Sequence, residues 1–206
     1  MKKTSFIIIL MTIFINTTFS QKLKYGLYLG MNAYDIEIEG PYAASGGHSY
    51  INFGLFGDYQ LSNRFGVKAN IFYNKTRESN YDRYTGTYTS DLFGDVKYSS
   101  LQLQGLLKYD VRRDYNKGFY LLGGARLTNI SKVTFEENRE FEDQLLNKTN
   151  LGAVLGFGTS ITRYINFELM ADKSISNPFN LTDAKSSNVG VYGNINVNLS
   201  SFFSKK

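Results

Sequence analysis

The chain has 206 residues, carries a formal net charge of +5 at pH 7 and contains no cysteine. The lack of cysteine excludes disulfides, thiolate catalysis and cysteine-based zinc sites. The basic excess is small and spread along the chain without a Lys/Arg-rich run, so the sequence lacks the basic stripe of a nucleic-acid-binding protein.

The first twenty residues have the pattern of a secretory signal peptide. Lys2 and Lys3 give a positive start, an apolar stretch covers 6–15, and Thr18 and Ser20 are the small residues before a cleavage point at Gln21. A membrane-spanning helix is the alternative, but it needs about 20 apolar residues. We therefore expect residues 1–20 to be removed and residues 21–206 to form one domain.

Eight stretches of the remaining chain alternate apolar and polar residues. A period of two is typical of β-strands, in which successive side chains point to opposite faces of the sheet. The predicted strands cover 22–34, 49–61, 64–74, 99–111, 118–128, 150–161, 164–172 and 189–203. The apolar positions of all eight lack Asp, Glu, Lys and Arg. Lipid requires an uncharged band of this kind on the outer face of a transmembrane barrel.

The connections between these strands alternate in length. The short turns lie at 62–63, 112–117 and 162–163. The long loops cover 35–48, 75–98, 129–149 and 173–188. Outer-membrane barrels place short turns in the periplasm and long loops outside the cell, which here puts both termini in the periplasm. The sequence predicts an all-β fold, an eight-stranded antiparallel up-and-down transmembrane β-barrel in the outer membrane of a Gram-negative bacterium.

A secreted lipocalin-like barrel is the main alternative, because it also has eight strands but turns its apolar face inward. Its outer surface would then carry few charges and would expose Phe56, Leu106, Leu122 and Met170. Soluble surfaces are normally more charged. The same residues suit the lining of a lumen, since eight strands leave an interior just wide enough for side chains. The alternation therefore favours the membrane barrel.

Three charged residues are predicted to lie inside the barrel. Lys68, Arg126 and Glu168 belong to the polar phase, with Lys68 and Glu168 near mid-height and Arg126 closer to the long loops. Burying such charges without partners is costly. We expect a structural charge cluster in which Glu168 pairs with at least one of the two bases. A path for solutes or protons is the functional alternative.

His48 is the one histidine of the sequence and lies in a Gly-rich loop, with Asp35, Ser45 and Ser49 nearby. Some outer-membrane barrels that modify lipid A use a set of this composition. A flexible loop is a poor place to orient a nucleophile and its base, and a single histidine argues against a zinc site. We expect no catalytic residue, no metal site and no cofactor.

Five segments together form a recognisable pattern. They are YGLYLGMN at 25–32, GLFGDYQLSNRFGVKANIFYN at 54–74, LQLQGLLKYDV at 101–111, FYLLGGARL at 119–127 and LGAVLGFGTSI at 151–161. The pattern, with Gln21 before it and a closing strand ending in Phe after it, resembles the PorT-like small outer-membrane β-barrel proteins of Bacteroidetes. The resemblance covers 21–203 and implies architecture more than activity. It implies an accessory barrel of a protein-export system as one possible role, and no catalytic residues.

Long polar and aromatic loops on a rigid barrel favour a binding role. We expect a non-enzymatic scaffold that presents four surface loops for adhesion or partner binding, with outer-membrane lipid around it and no nucleic-acid partner. The alternatives are the export accessory implied by the resemblance and an enzyme acting on lipid A, which would require His48. A wide pore is disfavoured by the strand number.

Overall fold

The computed structural model describes residues 22–38, 50–78, 81–82, 87–88, 96–135, 147–178 and 186–203. The predicted leader at 1–20 and the tips of the four long loops lie outside these residues. Strands and one short helix account for most of what is described. In this part of the chain no helix has both the length and the hydropathy needed to cross a membrane.

Eight long strands form the body of the molecule. They are β1 (Leu23–Ile38), β2 (Tyr50–Gln60), β3 (Phe65–Glu78), β6 (Val96–Asp110), β7 (Phe119–Phe135), β8 (Thr149–Ser160), β9 (Ile165–Ser174) and β10 (Ser186–Asn198). Between β3 and β6 two short strands, β4 (Tyr81–Asp82) and β5 (Thr87–Tyr88), pair with each other. The helix α1 (Ser200–Phe203) follows β10.

Each long strand pairs antiparallel with its neighbours in the chain, and β10 pairs with β1 to close the barrel. Closure leaves no strand edge unpaired, which is the condition for a sheet to span lipid. The prediction of an eight-stranded antiparallel up-and-down barrel is therefore confirmed. We call one end of the barrel the turn end: it carries the short turns β2–β3, β6–β7 and β8–β9, the start of β1 and the end of β10. The opposite end, where the long connections lie, is the loop end.

The apolar phase of the strands faces outward and the polar phase faces the lumen, as the prediction of a membrane barrel requires. Leu107 and Leu155, from the apolar phase, are 67% and 71% exposed on the outer wall. Tyr28, Tyr120 and Tyr192, from the other phase, are fully buried in the lumen. The lipocalin-like alternative required the apolar phase to point inward, and it is excluded by this arrangement.

Several strands run further toward the loop end than the alternation suggested. β7 continues from the predicted end at 128 to Phe135, where it still pairs with Val96 at the start of β6. A register shift between Ser99 and Ser100 separates this extension from the regular part of β6. Outside the hydrocarbon layer the outward positions need not be apolar, so the period-two signal disappears while the backbone ladder continues.

The prediction that the last strand reaches 203 was wrong. β10 ends at Asn198, and α1 turns the chain back against β1. The Ser200 hydroxyl donates to the Asn198 side chain at 2.7 Å, and the amide of Phe202 donates to the carbonyl of Leu199 at 3.0 Å. These local bonds replace the ladder that a longer strand would need. The Phe202 ring then stacks on Tyr164 with centroids 4.5 Å apart.

Candidate functional site

The centre of the lumen holds a buried ion pair between Lys68 on β3 and Glu168 on β9. Both side chains are almost completely buried. The Tyr120 hydroxyl donates to the same Glu168 carboxylate oxygen at 2.8 Å. The Lys68 ammonium also lies 5.0 Å from the centre of the Phe56 ring. Each charge is thus neutralised across the barrel, and the pair connects opposite walls.

A glycine makes the bond between Tyr120 and Glu168 possible. In the sheet register Gly158 stands directly between these two residues, paired with Tyr120 on one side and Glu168 on the other. A Cβ at Gly158 would meet the Tyr120 ring. The ring therefore crosses β8 only because β8 has no side chain at this position.

We expect Gly158→Ala to destabilise the barrel by about 1–3 kcal/mol, because the added methyl group overpacks the lumen against Tyr120. Gly193→Ala is the matched control, since a Cβ there meets nothing within 4 Å on the outer wall. Urea titration in vesicles, with the folded band followed on unboiled gels, measures both. Equal effects of the two substitutions would contradict the assigned facing.

A second ion pair lies nearer the loop end, between Arg126 on β7 and Asp172 on β9. Arg126 also donates to Asn150 at 2.8 Å. The Tyr34 and Tyr192 hydroxyls hydrogen-bond to each other and lie within reach of the same guanidinium. Five polar side chains thus fill the lumen at this level: the ion pair itself, Asn150 and the two tyrosines. The guanidinium charge of Arg126 is therefore paired.

A third pair closes the turn end. Lys108 on β6 donates to Asp58 on β2 at 2.8 Å. The β6–β7 turn folds back beneath it, so that Asn116 accepts a hydrogen bond from Lys108 and Tyr115 donates one to Asp58. Burial is the largest cause that raises the pKa of the Tyr115 phenol, and the nearby Asp58 carboxylate is the next largest. The phenol therefore stays protonated and remains a hydrogen-bond donor. The Lys108 ammonium lies 4.1 Å from the centre of the Tyr120 ring, which links this level to the central pair.

The structure brings together some of the predicted charged residues and separates others. Lys68 and Glu168 form one pair, whereas Arg126 pairs with Asp172. Glu168 and Asp172 are four residues apart on β9, which is about 13 Å along a strand. The sequence reasoning missed Asp58, which lies directly opposite Lys68 in the register of β2 and β3 and completes the third pair.

His48, on which the catalytic hypothesis depends, lies outside the described residues, as do Ser45 and Ser49. Within the described ranges, no group of three His, Cys, Asp or Glu side chains is placed to hold a metal ion. Six of the charged lumenal residues form the three ion pairs across the barrel, and the carboxylate of Asp110 accepts a hydrogen bond from the backbone amide of Asn116. Their arrangement stabilises a closed interior and offers no oriented nucleophile and base.

The comparisons with known proteins agree with this geometry. A family model described as an outer membrane protein beta-barrel domain matches residues 19–186. No curated protein sequence matches the chain. Among solved structures, Ail, the attachment invasion locus protein of Yersinia pestis, is 12% identical with a TM-score of 0.50, covering 86% of this chain and 99% of Ail.

Neisserial surface protein A is 14% identical with a TM-score of 0.51, covering 84% of this chain and 97% of that protein. At this level of identity the two structures establish a shared fold and nothing finer. The family match covers most of the chain, from before β1 to the first residue of β10, and so spans seven of the eight strands of the closed barrel. The chain therefore belongs to the outer membrane protein β-barrel domain family and is an outer-membrane β-barrel protein of the Gram-negative type.

Proposed function

We propose that this protein is a non-enzymatic scaffold that presents four surface loops for adhesion or partner binding. The observation that carries the proposal is the filled lumen, in which three buried ion pairs and large aromatic side chains occupy successive levels. An interior packed in this way leaves little room for a solute. The parts of the molecule free to meet a partner are then the long connections at the loop end.

The lengths of the strands support this role. A transmembrane strand needs about 9–11 residues, whereas β1, β6 and β7 have 16, 15 and 17. The excess lies at the loop end, where β3, β6 and β7 remain paired up to Glu78, Val96 and Phe135. This three-stranded wall would hold two of the four loops on a rigid base above the membrane surface.

The proposal includes an orientation and a processing step. Short turns on one side and long loops on the other are typical of barrels whose termini face the periplasm, and we place Leu23 and α1 there. Residues 1–20 would be removed before insertion, as the leader pattern suggests. Within the family, we place the chain among the PorT-like proteins of Bacteroidetes on the strength of the resembling segments at 25–32, 54–74 and 101–111.

That resemblance also supports a second role, an accessory barrel of a protein-export system. Deletion of the protein with unchanged export of secreted proteins would contradict this alternative. An enzyme acting on lipid A is a weaker candidate, because it depends on His48 alone. Unchanged lipid A in a His48→Ala strain would remove it.

The loop proposal predicts that binding is lost when the loop tips are replaced. Residues 79–95 and 136–146 would each be exchanged for a short Gly/Ser linker, which leaves the paired parts of β3, β6 and β7 intact. Cells displaying this variant should lose most of their adhesion to host or bacterial surfaces in a plate assay, because the two longest of the four loops no longer offer a contact surface while the barrel still folds.

The matched control keeps the length and composition of both loops but shuffles their sequences. Heat-modifiable migration on gels must show that all three proteins are folded. Undiminished adhesion of the linker variant would contradict the proposal, and so would full adhesion of the shuffled variant, because specific recognition requires a defined loop sequence.

A further inference from the structure

The turn end of the barrel is rimmed by basic side chains. Lys22 precedes β1, Arg64 lies in the β2–β3 turn, Arg112 and Arg113 lie in the β6–β7 turn, and Arg163 lies in the β8–β9 turn. We call these five residues the basic collar. The turns contain one carboxylate, Asp114, and it pairs with Lys117 at 3.0 Å. In the described part of the chain, no carboxylate forms an ion pair with a collar residue.

Two of the four guanidinium groups of the collar, those of Arg64 and Arg163, lie beside aromatic rings. Arg64 donates to the Tyr109 hydroxyl at 3.1 Å, and the Tyr109 ring packs on Phe65 at 5.1 Å between centroids. Phe65 is 53% exposed on the outer wall. Arg64 is thereby held at the height where aromatic residues mark the boundary between hydrocarbon and headgroups.

Arg163 also lies beside a tyrosine ring, on the opposite side of the barrel. Its guanidinium lies 4.4 Å from the centre of the Tyr164 ring, and that ring stacks on Phe202 of α1. Phe202 is itself exposed. Successive turns are two strands apart, or about 10 Å around the barrel, so the collar distributes charge around the wall rather than in one patch.

We propose that the basic collar binds the phosphodiester headgroups of anionic phospholipids in the leaflet that surrounds the turn end. Arginine presents a planar fork of donors that matches phosphate oxygens, and its guanidinium stacks on aromatic rings without losing that capacity. Arg64 and Arg163 each contact a tyrosine that packs on an exposed phenylalanine of the outer surface, which favours a lipid over a soluble acidic protein as the occupant of the collar. This inference is independent of what the surface loops bind.

Fluorescence quenching tests the proposal directly, because the chain has no tryptophan. Leu61→Trp places one indole in the same turn as Arg64, at a position that is 54% exposed. The barrel is reconstituted in phosphatidylcholine vesicles containing a minority of either brominated phosphatidylglycerol or brominated phosphatidylcholine. We expect phosphatidylglycerol to associate about five-fold more strongly than phosphatidylcholine at low salt, and the preference to fall as salt rises.

Arg64→Gln/Arg112→Gln/Arg163→Gln in this background should bring the ratio of the two lipids close to one. Lys75→Gln/Lys132→Gln/Lys173→Gln is the matched control, since it removes three exposed positive charges at the loop end and should leave the ratio unchanged. Equal quenching by both lipids in the parent would overturn the proposal and leave the collar to a soluble acidic partner. A preference that survives the arginine substitutions, or that vanishes in the lysine control, would also overturn it.

Discussion

Glu168→Gln is expected to destabilise the barrel by about 3–5 kcal/mol, because it leaves the Lys68 ammonium buried without a countercharge. Glutamine keeps a carbonyl oxygen that can accept from Tyr120, so the loss reports the missing charge rather than a missing hydrogen bond. Urea-induced unfolding in vesicles, with the folded fraction read from unboiled gels, measures the change in the free energy of unfolding.

The double variant Lys68→Met/Glu168→Gln distinguishes pairing from simple damage to the packing. With both charges removed the lumen is neutral at this level, and most of the lost stability should return, since neutral residues of similar volume often replace a buried pair with little cost. Asp172→Asn, which breaks the pair with Arg126, should add independently to Glu168→Gln. If the double variant were as unstable as the sum of its two single variants, the coupling between Lys68 and Glu168 would be absent.

Much of the fold could be predicted because alternate positions of each strand face either lipid or the lumen, and these two environments accept different residue types. A charge on an outward position in the hydrocarbon layer is costly, and the apolar positions of all eight predicted strands accordingly lack charged residues. The facing of Leu155 and Tyr120 followed from it. The extension of β7 to Phe135 could not be predicted in the same way, because outside the membrane the outward positions are no longer constrained.

The partners of the lumenal charges could not be predicted from the alternation of apolar and polar residues. The side on which Lys68, Arg126 and Glu168 lie is a property of each strand, but their partners depend on the stagger between strands. Asp58 and Asp172 were visible on the polar phase and were not assigned a role. Their partners, Lys108 and Arg126, became clear only from the closed register and the contacts across the lumen.

Leu155→Arg is expected to cost about 2–4 kcal/mol of unfolding free energy, as for a charge placed at the bilayer midplane on the lipid face. Leu155 lies near the middle of β8 and points directly into the hydrocarbon layer, so the guanidinium cannot be hydrated without distorting the bilayer. Reversible unfolding in phospholipid vesicles, followed by gel mobility, gives the value.

Ile161→Arg is the control that separates the membrane from ordinary packing. Ile161 is 63% exposed and follows the same strand at the turn end, where a charge can reach the headgroups. Its substitution should cost about 0–1 kcal/mol, because the penalty falls with distance from the midplane. A barrel whose apolar face met water would tolerate both arginines equally, and one whose apolar face pointed inward would be disrupted by both. A large cost at 155 with a small cost at 161 is expected only if lipid surrounds the outer wall.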